Sequence, residues 1–574
     1  MSKAAASAEH PTHSVQHHAA KLSKKQRTIA LVVVALAFVM DLLDSTIVNI
    51  AIPSIQGNLG ASYATIQWLI AGYSLAFATL LITGGRMGDV FGYKKLFMIG
   101  VGGFTVASLL SGAAWNSEVL IAARLLQGAM AALMVPQVMS MMQIMFKPEE
   151  RGMVSGLFGA LGGLSAALGP VIGGLLIKAN LFGLDWRPIF LINVPIGVIG
   201  LVAAAKFLPE GKSPHPLKLD WWGTLIVIIG LLLLIFPLIE GRDLGWPTWT
   251  FVMMAVSVPV FVLFAWWQRR KVQVDGSPLV MPALFRFRSF TVGLITNVIF
   301  EGVMLGLFLP ATLLLQVGLG YSVIHAALTG IPTAFGIALS IAILGQKLTM
   351  KLGRYAMMIG ALVMIAGLSY LTWVVHRYGI TTHSWQLAPG LFTTGLGMGL
   401  VMAPIFAMVL NDVDPHHAGS ASGILNAVQQ VGGAIGVAVI GLIFFGQLSH
   451  HAASSFDSVA PNVRTQLHAL HVPEQTQTAI LQAAKQCYVD RTQQKDSTAV
   501  PESCKAMQAS AGDDKTAQAI GSVVEQGALR ANARNFDRAF RAGIIYEIIL
   551  CVVVMALSLF LPRHVRPEAL EEAV

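Results

Sequence analysis

Residues 28–50 read TIALVVVALAFVMDLLDSTIVNI, an apolar run whose only charged members are Asp41 and Asp44. About 20 predominantly apolar residues in a helix cross a hydrocarbon core of roughly 30 Å, so this stretch is long enough to span a bilayer. Runs of the same kind follow at 64–86, 96–114, 118–141, 152–177, 189–208, 220–240, 249–268, 290–315, 323–345, 354–375, 385–410, 419–446 and 541–561. Lipid offers no partner to free backbone groups, so each run is expected to be helical. Of the 574 residues, 55% are hydrophobic and 12% charged, about half the roughly 25% of ordinary soluble proteins. That composition excludes a water-soluble globular fold and points to an all-α integral membrane protein with fourteen transmembrane helices.

Polar stretches divide the chain. A tail, 1–27, precedes a six-helix bundle, 28–208; a linker, 209–289, carries two extra spans; 290–446 supplies five further helices; 447–540 is a long polar segment; 541–574 holds the last span and a tail. The pattern is six, plus two, plus six, and two similar six-helix halves are the expected build of a rocking carrier. Span 5 carries small residues four apart (Gly152 and Gly156, Gly159 and Gly163, Gly169 and Gly173), as does span 13 (Gly419 and Gly423, Gly432 and Gly436). Such spacing lets helix backbones approach closely, whether for sliding or for static packing.

The net charge of +9 could suggest nucleic acid or anionic lipid, but its distribution follows topology. With the N-terminus inside, short inner loops and tails hold roughly 23 Lys and Arg, including Lys24, Lys25, Arg269, Arg270, Lys271, Arg286, Arg288 and Lys351, against about four in outer loops. The outer four are Lys178, Arg187, Arg242 and Arg377. The asymmetry places both termini in the cytoplasm, which requires an even number of spans, and the segment 447–540 outside. No nucleic-acid partner is expected. The tail histidines His10, His13, His17 and His18 lack a packed scaffold for a metal, and the polar tail reads as disordered. It is not a cleavable signal, because the apolar run behind it is too long and carries acids. Cys487 and Cys504 lie together in the outer segment, where an oxidising compartment permits a disulfide; Cys551 falls in the last span. In the outer segment, 474–492 and 515–538 read as amphipathic helices. A lid, a docking surface and a tolerated insertion are equally open roles for it.

Acids at membrane depth are costly and usually mark ion or proton pathways. Asp41 and Asp44 lie three apart on one helix face, where each opposes ionisation of the other, so the pair is expected to share a proton. Glu301, about a dozen residues into span 9, is a second candidate proton carrier, with a structural hydrogen bond as its plain alternative. Arg124 lies well inside span 4 and cannot shed its charge, so it needs an acceptor; the span 1 acids serve if spans 1 and 4 face each other. Between spans 2 and 3, Gly85-Arg86-Met87-Gly88-Asp89-Val90-Phe91-Gly92-Tyr93-Lys94-Lys95 mixes turn-forming glycine with both charge signs. It reads as a cytoplasmic latch built on an Asp89 ion pair or helix-end contact, or as a solvated turn that sets orientation.

At these residues the chain resembles the major facilitator superfamily. The 85–95 stretch is similar to its signature between spans 2 and 3; Leu120 to Ala132, with Arg124, Gln127 and Gly128, resembles its span 4 motif, which is linked to proton transfer in antiporters. Gly169-Pro170-Val171-Ile172-Gly173-Gly174 resembles the span 5 motif of exporters that exchange substrate for protons. More narrowly, residues 43–53, Trp186 to Gly197 and Gly419 to Gly423 are similar to motifs of the fourteen-span drug:proton antiporters, the EmrB/QacA group. The resemblance covers about 28–446 and the last span, not the outer segment. It implies a proton-driven exporter of small lipophilic or cationic compounds in a bacterial inner membrane, with no cofactor beyond the coupling proton, and spans 7 and 8 as an insertion beside the transport path. A periplasmic accessory protein is a candidate partner. The second-half copy of the loop signature, Lys347 to Arg354, lacks an acid where Asp89 would align, and span 10 lacks the acid that some group members carry.

Helix position nominates Trp68, Tyr73, Gln137, Phe300, Asn426 and Gln430 as cavity-facing substrate contacts. Rival readings are a proton-coupled carrier of one metabolite or nutrient, a membrane-embedded lipid-modifying enzyme, and a passive channel. No metal cluster or nucleophile–base spacing supports the enzyme: His416 and His417 are loop neighbours.

Overall fold

The computed structural model describes residues 23–213, 216–341, 351–413, 418–493, 500–509 and 515–563. The tail histidines, His416, His417 and residues 347–350 of the second-half signature copy lie outside the described residues. Among those described, every regular element is helical. In chain order they are α1 (Lys24–Leu59), α2 (Tyr63–Phe91), α3 (Tyr93–Gly112), α4 (Ser117–Met145), α5 (Pro148–Ala179), α6 (Pro188–Phe207), α7 (Trp221–Glu240), α8 (Thr248–Asp275) and α9 (Arg288–Leu313). There follow α10 (Val323–Leu339), α11 (Arg354–Tyr378), α12 (Ser384–Leu410), α13 (Ala418–Asp457), α14 (Ala460–Ala469), α15 (Glu474–Gln493), α16 (Glu502–Ala509) and α17 (Lys515–Ser558).

Twelve of these helices are long and apolar enough to cross a membrane, and two shorter apolar stretches, Leu168–Ala179 and Val323–Leu339, fall within the expected fifth and tenth spans. Their ends follow local chemistry. The Ser23 hydroxyl accepts from the Gln26 amide while Gln26 answers to Ser23, a capping box that starts α1. Gly60, left-handed at φ 63°, ends it. The outward faces are apolar: α8 buries only 11% of its most apolar stretch and exposes Phe251, Val258, Val262 and Trp266. Exposed apolar surface on that scale needs lipid against it.

α1–α6 form one half, and α9–α13 with α17 the other. The halves meet along α2–α13 and α5–α10. At the end carrying the long polar segment the seam is closed. Tyr63 and Phe445 stack at 4.0 Å between ring centroids, and Gln316 Nε2 donates to the Ile50 carbonyl at 3.0 Å. At the opposite end α13 exposes Asn426, and a methyl group built on Gly423 would meet nothing within 4 Å. α7 and α8 pack on each other, and α7 lies across the seam: Leu231, Ile235 and Ile239 share a core with Trp68, Ala71 and Leu75 of α2 and Ala434 and Ala438 of α13.

The polar segment is not the separate unit that boundaries at 447 and 540 imply. α13 runs unbroken to Asp457, and α17 begins at Lys515 and continues into the last span. Both helices extend beyond the bundle because their next turns find apolar partners: Phe456, Val459, Val463, Leu467, Leu481, Tyr488, Val524 and Ala531 form a small core of their own. Cys487 and Cys504 are disulfide-bonded, Cα to Cα 4.7 Å, joining α15 to α16.

Candidate functional site

The span 1 acids lie inside the first half, and spans 1 and 4 do face each other. Arg124 of α4 is 1% exposed and Asp44 of α1 is 1% exposed; the guanidinium Nη1 donates to Asp44 Oδ2. Arg124 also donates from Nε to the Leu69 carbonyl at 3.1 Å and from Nη1 to Gln127 Oε1 at 2.8 Å, and lies 4.3 Å from the Tyr73 ring centroid. The other Asp44 oxygen accepts from Gln127 Nε2 at 2.7 Å and from Asn193 Nδ2 of α6 at 2.9 Å. Ser108 of α3 accepts from both of those amides. Five helices thus converge on one carboxylate. A buried charge is tolerable only when paired and hydrogen-bonded on its remaining lone pairs, and this one is.

Asp41, one turn earlier and 6% exposed, is treated differently: its Oδ1 accepts from the Tyr73 hydroxyl of α2. Asp44 faces a cation and two amides, Asp41 a single neutral phenol. The pair expected from spacing is therefore split into an anchored carboxylate and one with spare acceptor capacity. Glu301 of α9 is 8% exposed and accepts from Gln429 Nε2 of α13 at 3.1 Å, placing an acid in the second half at the contact of two helices.

The motif glycines of α5 explain how this network is enclosed. A Cβ on Gly173 would lie 2.7 Å from Ile47 Cγ1 and 2.9 Å from Ile50 Cγ2 of α1; Gly169 faces Thr46. Gly174, on another face, would bring a Cβ to 3.2 Å from Ile324 Cα and Ala327 Cβ of α10. With Pro170 within the helix, α5 is thin on both sides and sits between α1 and the other half. The Trp186–Gly197 stretch fastens α6: Trp186 and Arg187 both donate to Asn58 Oδ1, at 3.3 and 3.1 Å, and Asn193 reaches Asp44.

The 85–95 stretch departs from the expected loop. Gly85, Arg86 and Asp89 are helical, since α2 runs to Phe91, and only Gly92, at φ 100°, breaks the chain. The reason is close packing: Gly88 abuts the Gln137 amide and Gly84 the Ala132 carbonyl, contacts a straight helix permits. Arg86 donates to the carbonyls of Ser277 at 3.0 Å, Pro278, and Lys218 at 3.3 Å. Asp89 accepts from the Tyr93 hydroxyl at 3.0 Å, not from a cation. Lys94 donates to the Ala205 carbonyl at 2.8 Å, and Lys95 is exposed. The stretch therefore grips the segments flanking α7 and α8, not the second half. Those segments are ordered by Asp220, which accepts from Gly223 N, Trp267 Nε1, Gln268 Nε2 and Leu279 N. Burial pushes the Asp220 carboxyl up, but the donors from Trp267, Gly223, Gln268 and Leu279 outweigh it and hold it below the usual carboxylate range.

Four of the six nominated cavity contacts are buried elsewhere. Trp68 donates to Glu240 of α7 at 2.9 Å; Tyr73 serves Asp41; Gln137 donates to the Gly84 carbonyl at 2.9 Å; Phe300 is 1% exposed in the second-half core. Helix position alone gives depth, not azimuth, and aromatic and amide groups are as readily used to lock helices together. Asn426 and Gln430 of α13 remain accessible. Sequence pattern gives no role to Ser108 or Gln429, and it includes Asn193 only as a member of the Trp186–Gly197 motif. Asn193 had a visible signal, a lone amide in an apolar run.

Two helical halves around a buried charged network, clad in exposed apolar surface, define a multi-pass membrane transporter rather than an enzyme. Residues 34–437 match the model of the Major Facilitator Superfamily, and the chain belongs to that family. It is 40% identical over 543 residues to a probable actinorhodin transporter of Streptomyces coelicolor, covering 95% of this chain and 93% of that one. An alignment that long takes in most of the polar segment as well. A tetracenomycin C resistance and export protein of Streptomyces glaucescens is 30% identical, over 72% of this chain and 75% of that one. Among solved structures, a bacterial homologue of the human lysosomal transporter Spinster, inward-facing and unoccupied, superposes with a TM-score of 0.57 at 14% identity, covering 94% of this chain and 98% of that one. That likeness shows the fold.

Proposed function

We propose that this chain is a proton-driven antiporter that exports small lipophilic or cationic organic compounds, antibiotics among them, by alternating access. Fourteen spans, with both termini cytoplasmic and the α13–α17 extension outside a bacterial cytoplasmic membrane, suit the basic inner loops and the external disulfide. The observation that carries the reading is the Asp44–Arg124 pair, buried at membrane depth and ringed by Gln127, Asn193 and Ser108. Such a pair is costly to build and is kept where its breaking does work. Protonating Asp44 removes the charge that Arg124 answers to, frees the guanidinium to repack, and alters how α1 sits on α5, hence on α10 across the seam. Asp41 and Glu301 supply further protonatable positions, one in each half. The relatives named for antibiotic export and resistance support the direction of transport and the substrate class. A nutrient importer of the same fold is the weaker reading, because the α5 glycine–proline motif is the one associated with exchange. Proteoliposomes under an imposed pH gradient, loaded with a panel of lipophilic cations and antibiotics, test it. The native chain drives substrate against its gradient and Asp44→Asn does not; gradient-driven transport undiminished in that variant would reject the reading.

A further inference from the structure

The last span holds an acid with no role so far. Glu547 of α17 is 1% exposed, and among the described residues neither of its carboxyl oxygens has a hydrogen-bond partner. It points at a position where α9 has no side chain: a Cβ on Gly306 would lie 2.7 Å from Glu547 Oε1, 3.6 Å from a methyl of Ile440 and 3.7 Å from the Gly436 carbonyl oxygen of α13. α9 and α13 cross closely at Gly302 and Gly436, one turn away, and Gly543 of α17 contacts Ile440. Glu547 is thus wedged at the junction of three helices. At 1.5 Å per residue it lies about 16 Å along α17 from Phe536, whose ring packs on Gly318, and Glu301 is about 7 to 8 Å further along α9 from Gly306.

Among the described residues no cation pairs with it. Its titratable neighbours are Tyr546 and Cys551 on its own helix; Glu301 of α9 is five residues from Gly306 and bonded to Gln429. From α11, His376 lies at the outer end, bonded to Arg541; His450 and His451 of α13 are also at that end. α14 and α15 pack on the part of α17 that precedes Arg541. A bare carboxylate enclosed this way is prohibitive, and a hard metal ion would demand six or more oxygens. A bound proton satisfies the site at no such cost.

We propose that Glu547 is a proton-binding site of the second half, occupied while the α2–α13 seam is closed as here and emptied when α9, α13 and α17 part and admit water beside Gly306. The carboxylic acid O–H then breaks, the proton passes to that water, and the carboxylate is left solvated. Protonation in the closed state rests on the packing alone; a part in coupling rests on the proton-driven reading above.

The test uses the full-length chain in lipid nanodiscs and infrared spectroscopy of protonated carboxyl groups, with Glu547→Gln to delete the band and Glu547→Asp to shift it. A second preparation is held closed by cross-linking Tyr63→Cys to Phe445→Cys, whose parent rings stack. The expected result is a protonated-carboxyl band at neutral pH that Glu547→Gln removes. As the pH is raised the band is lost from the free protein but kept in the cross-linked one. No band assignable to Glu547 at neutral pH, or identical titration in both preparations, overturns the proposal. Because the measurement contains no transport step, a failure of gradient-driven efflux leaves this result to stand or fall by itself.

Discussion

Replacing Asp44 by Asn tests the buried pair with almost no change of shape. The amide oxygen of Asn can still accept from Gln127 and Asn193, which approach at 2.7 and 2.9 Å. The loss falls on Arg124, which keeps the Leu69 carbonyl and Gln127 Oε1 but faces no negative charge and can meet an amide N–H where a carboxylate stood. Breaking a buried ion pair from one side costs about 3–5 kcal/mol, because the stranded charge remains buried. The two neutral acceptors that Arg124 retains place this case near the lower end, about 3 kcal/mol. Asp44→Asn with Arg124→Gln removes both charges and should return to within about 1–2 kcal/mol of the native chain, since neutral replacements of buried pairs are often close to neutral in stability. Equilibrium unfolding of four purified proteins, the native chain, each single variant and the double, in mixed lipid–detergent micelles measures this, and gradient-driven efflux is read alongside. Stability should fall in the single variant and largely recover in the double, while transport is lost in both. A single variant within about 1 kcal/mol of native, or a double variant equal to the sum of its parts, would refute the view that Arg124 depends on Asp44 for its charge balance.

Further expectations follow from the linker, the extension and the seam. The Asp220 carboxyl is held below its ordinary value, so the stability it lends the linker is complete above the unfolded value of about 3.9 and is lost as pH falls through the lowered folded one. Hydrogen exchange at Leu279 and Val280 should stay slow down to about pH 4 and quicken below it, and Asp220→Asn should quicken it at neutral pH. Reducing Cys487–Cys504, a link across a sequence separation of 17, should cost the extension about 3 kcal/mol, seen as protease cleavage within α15 and α16 while the spans survive. Arg242 lies 5.4 Å from the Tyr63 ring and 5.7 Å from the Phe445 ring and donates to Ser449 Oγ at 2.7 Å. Arg242→Gln should loosen the closed seam, read as faster thiol labelling of Gln67→Cys; unchanged labelling would show that the arginine is a bystander.

Much of this architecture is carried by one property, the length of apolar runs, and so an all-helical, membrane-crossing chain was legible from composition. The acids were legible for the same reason: a carboxyl in a lipid-crossing run contradicts its surroundings. What the linear pattern lacks is azimuth. Trp68 and Gln137 lie at plausible depth for a cavity, yet Trp68 turns to Glu240 and Gln137 to Gly84, because a helix without a polar face gives no sign of which side is inside. Nor could spacing show that the 85–91 stretch stays helical. Its glycines look like turn formers until the close approach of Gln137 and Ala132 explains them as packing positions. Glu547 was as legible as Glu301 by the same rule of an isolated acid in an apolar run, although its lack of partners was not.

The two extra helices have more to do than length suggests. At one end of the bundle the segments flanking them hold Arg86 by three carbonyls; at the other, Glu240 receives Trp68 and Arg242 bridges Ser449 to the Tyr63–Phe445 stack. Between these points α7 packs on α2 and α13 together, the two helices that belong to opposite halves. Any motion that opens the closed seam must therefore slide Leu231, Ile235 and Ile239 over one of those surfaces and part Arg242 from at least one of its ring partners. Aliphatic contacts without interlocking polar bonds along that stretch tolerate sliding, whereas the polar ties at each end resist it, so in the proposed alternating-access cycle the barrier would be concentrated at Arg86 and Arg242, away from the Asp44–Arg124 network. Under the proton-driven antiport proposed above, that separation would let the charge state of Asp44 bias which conformation is favoured while the α7 ties set how quickly it is reached.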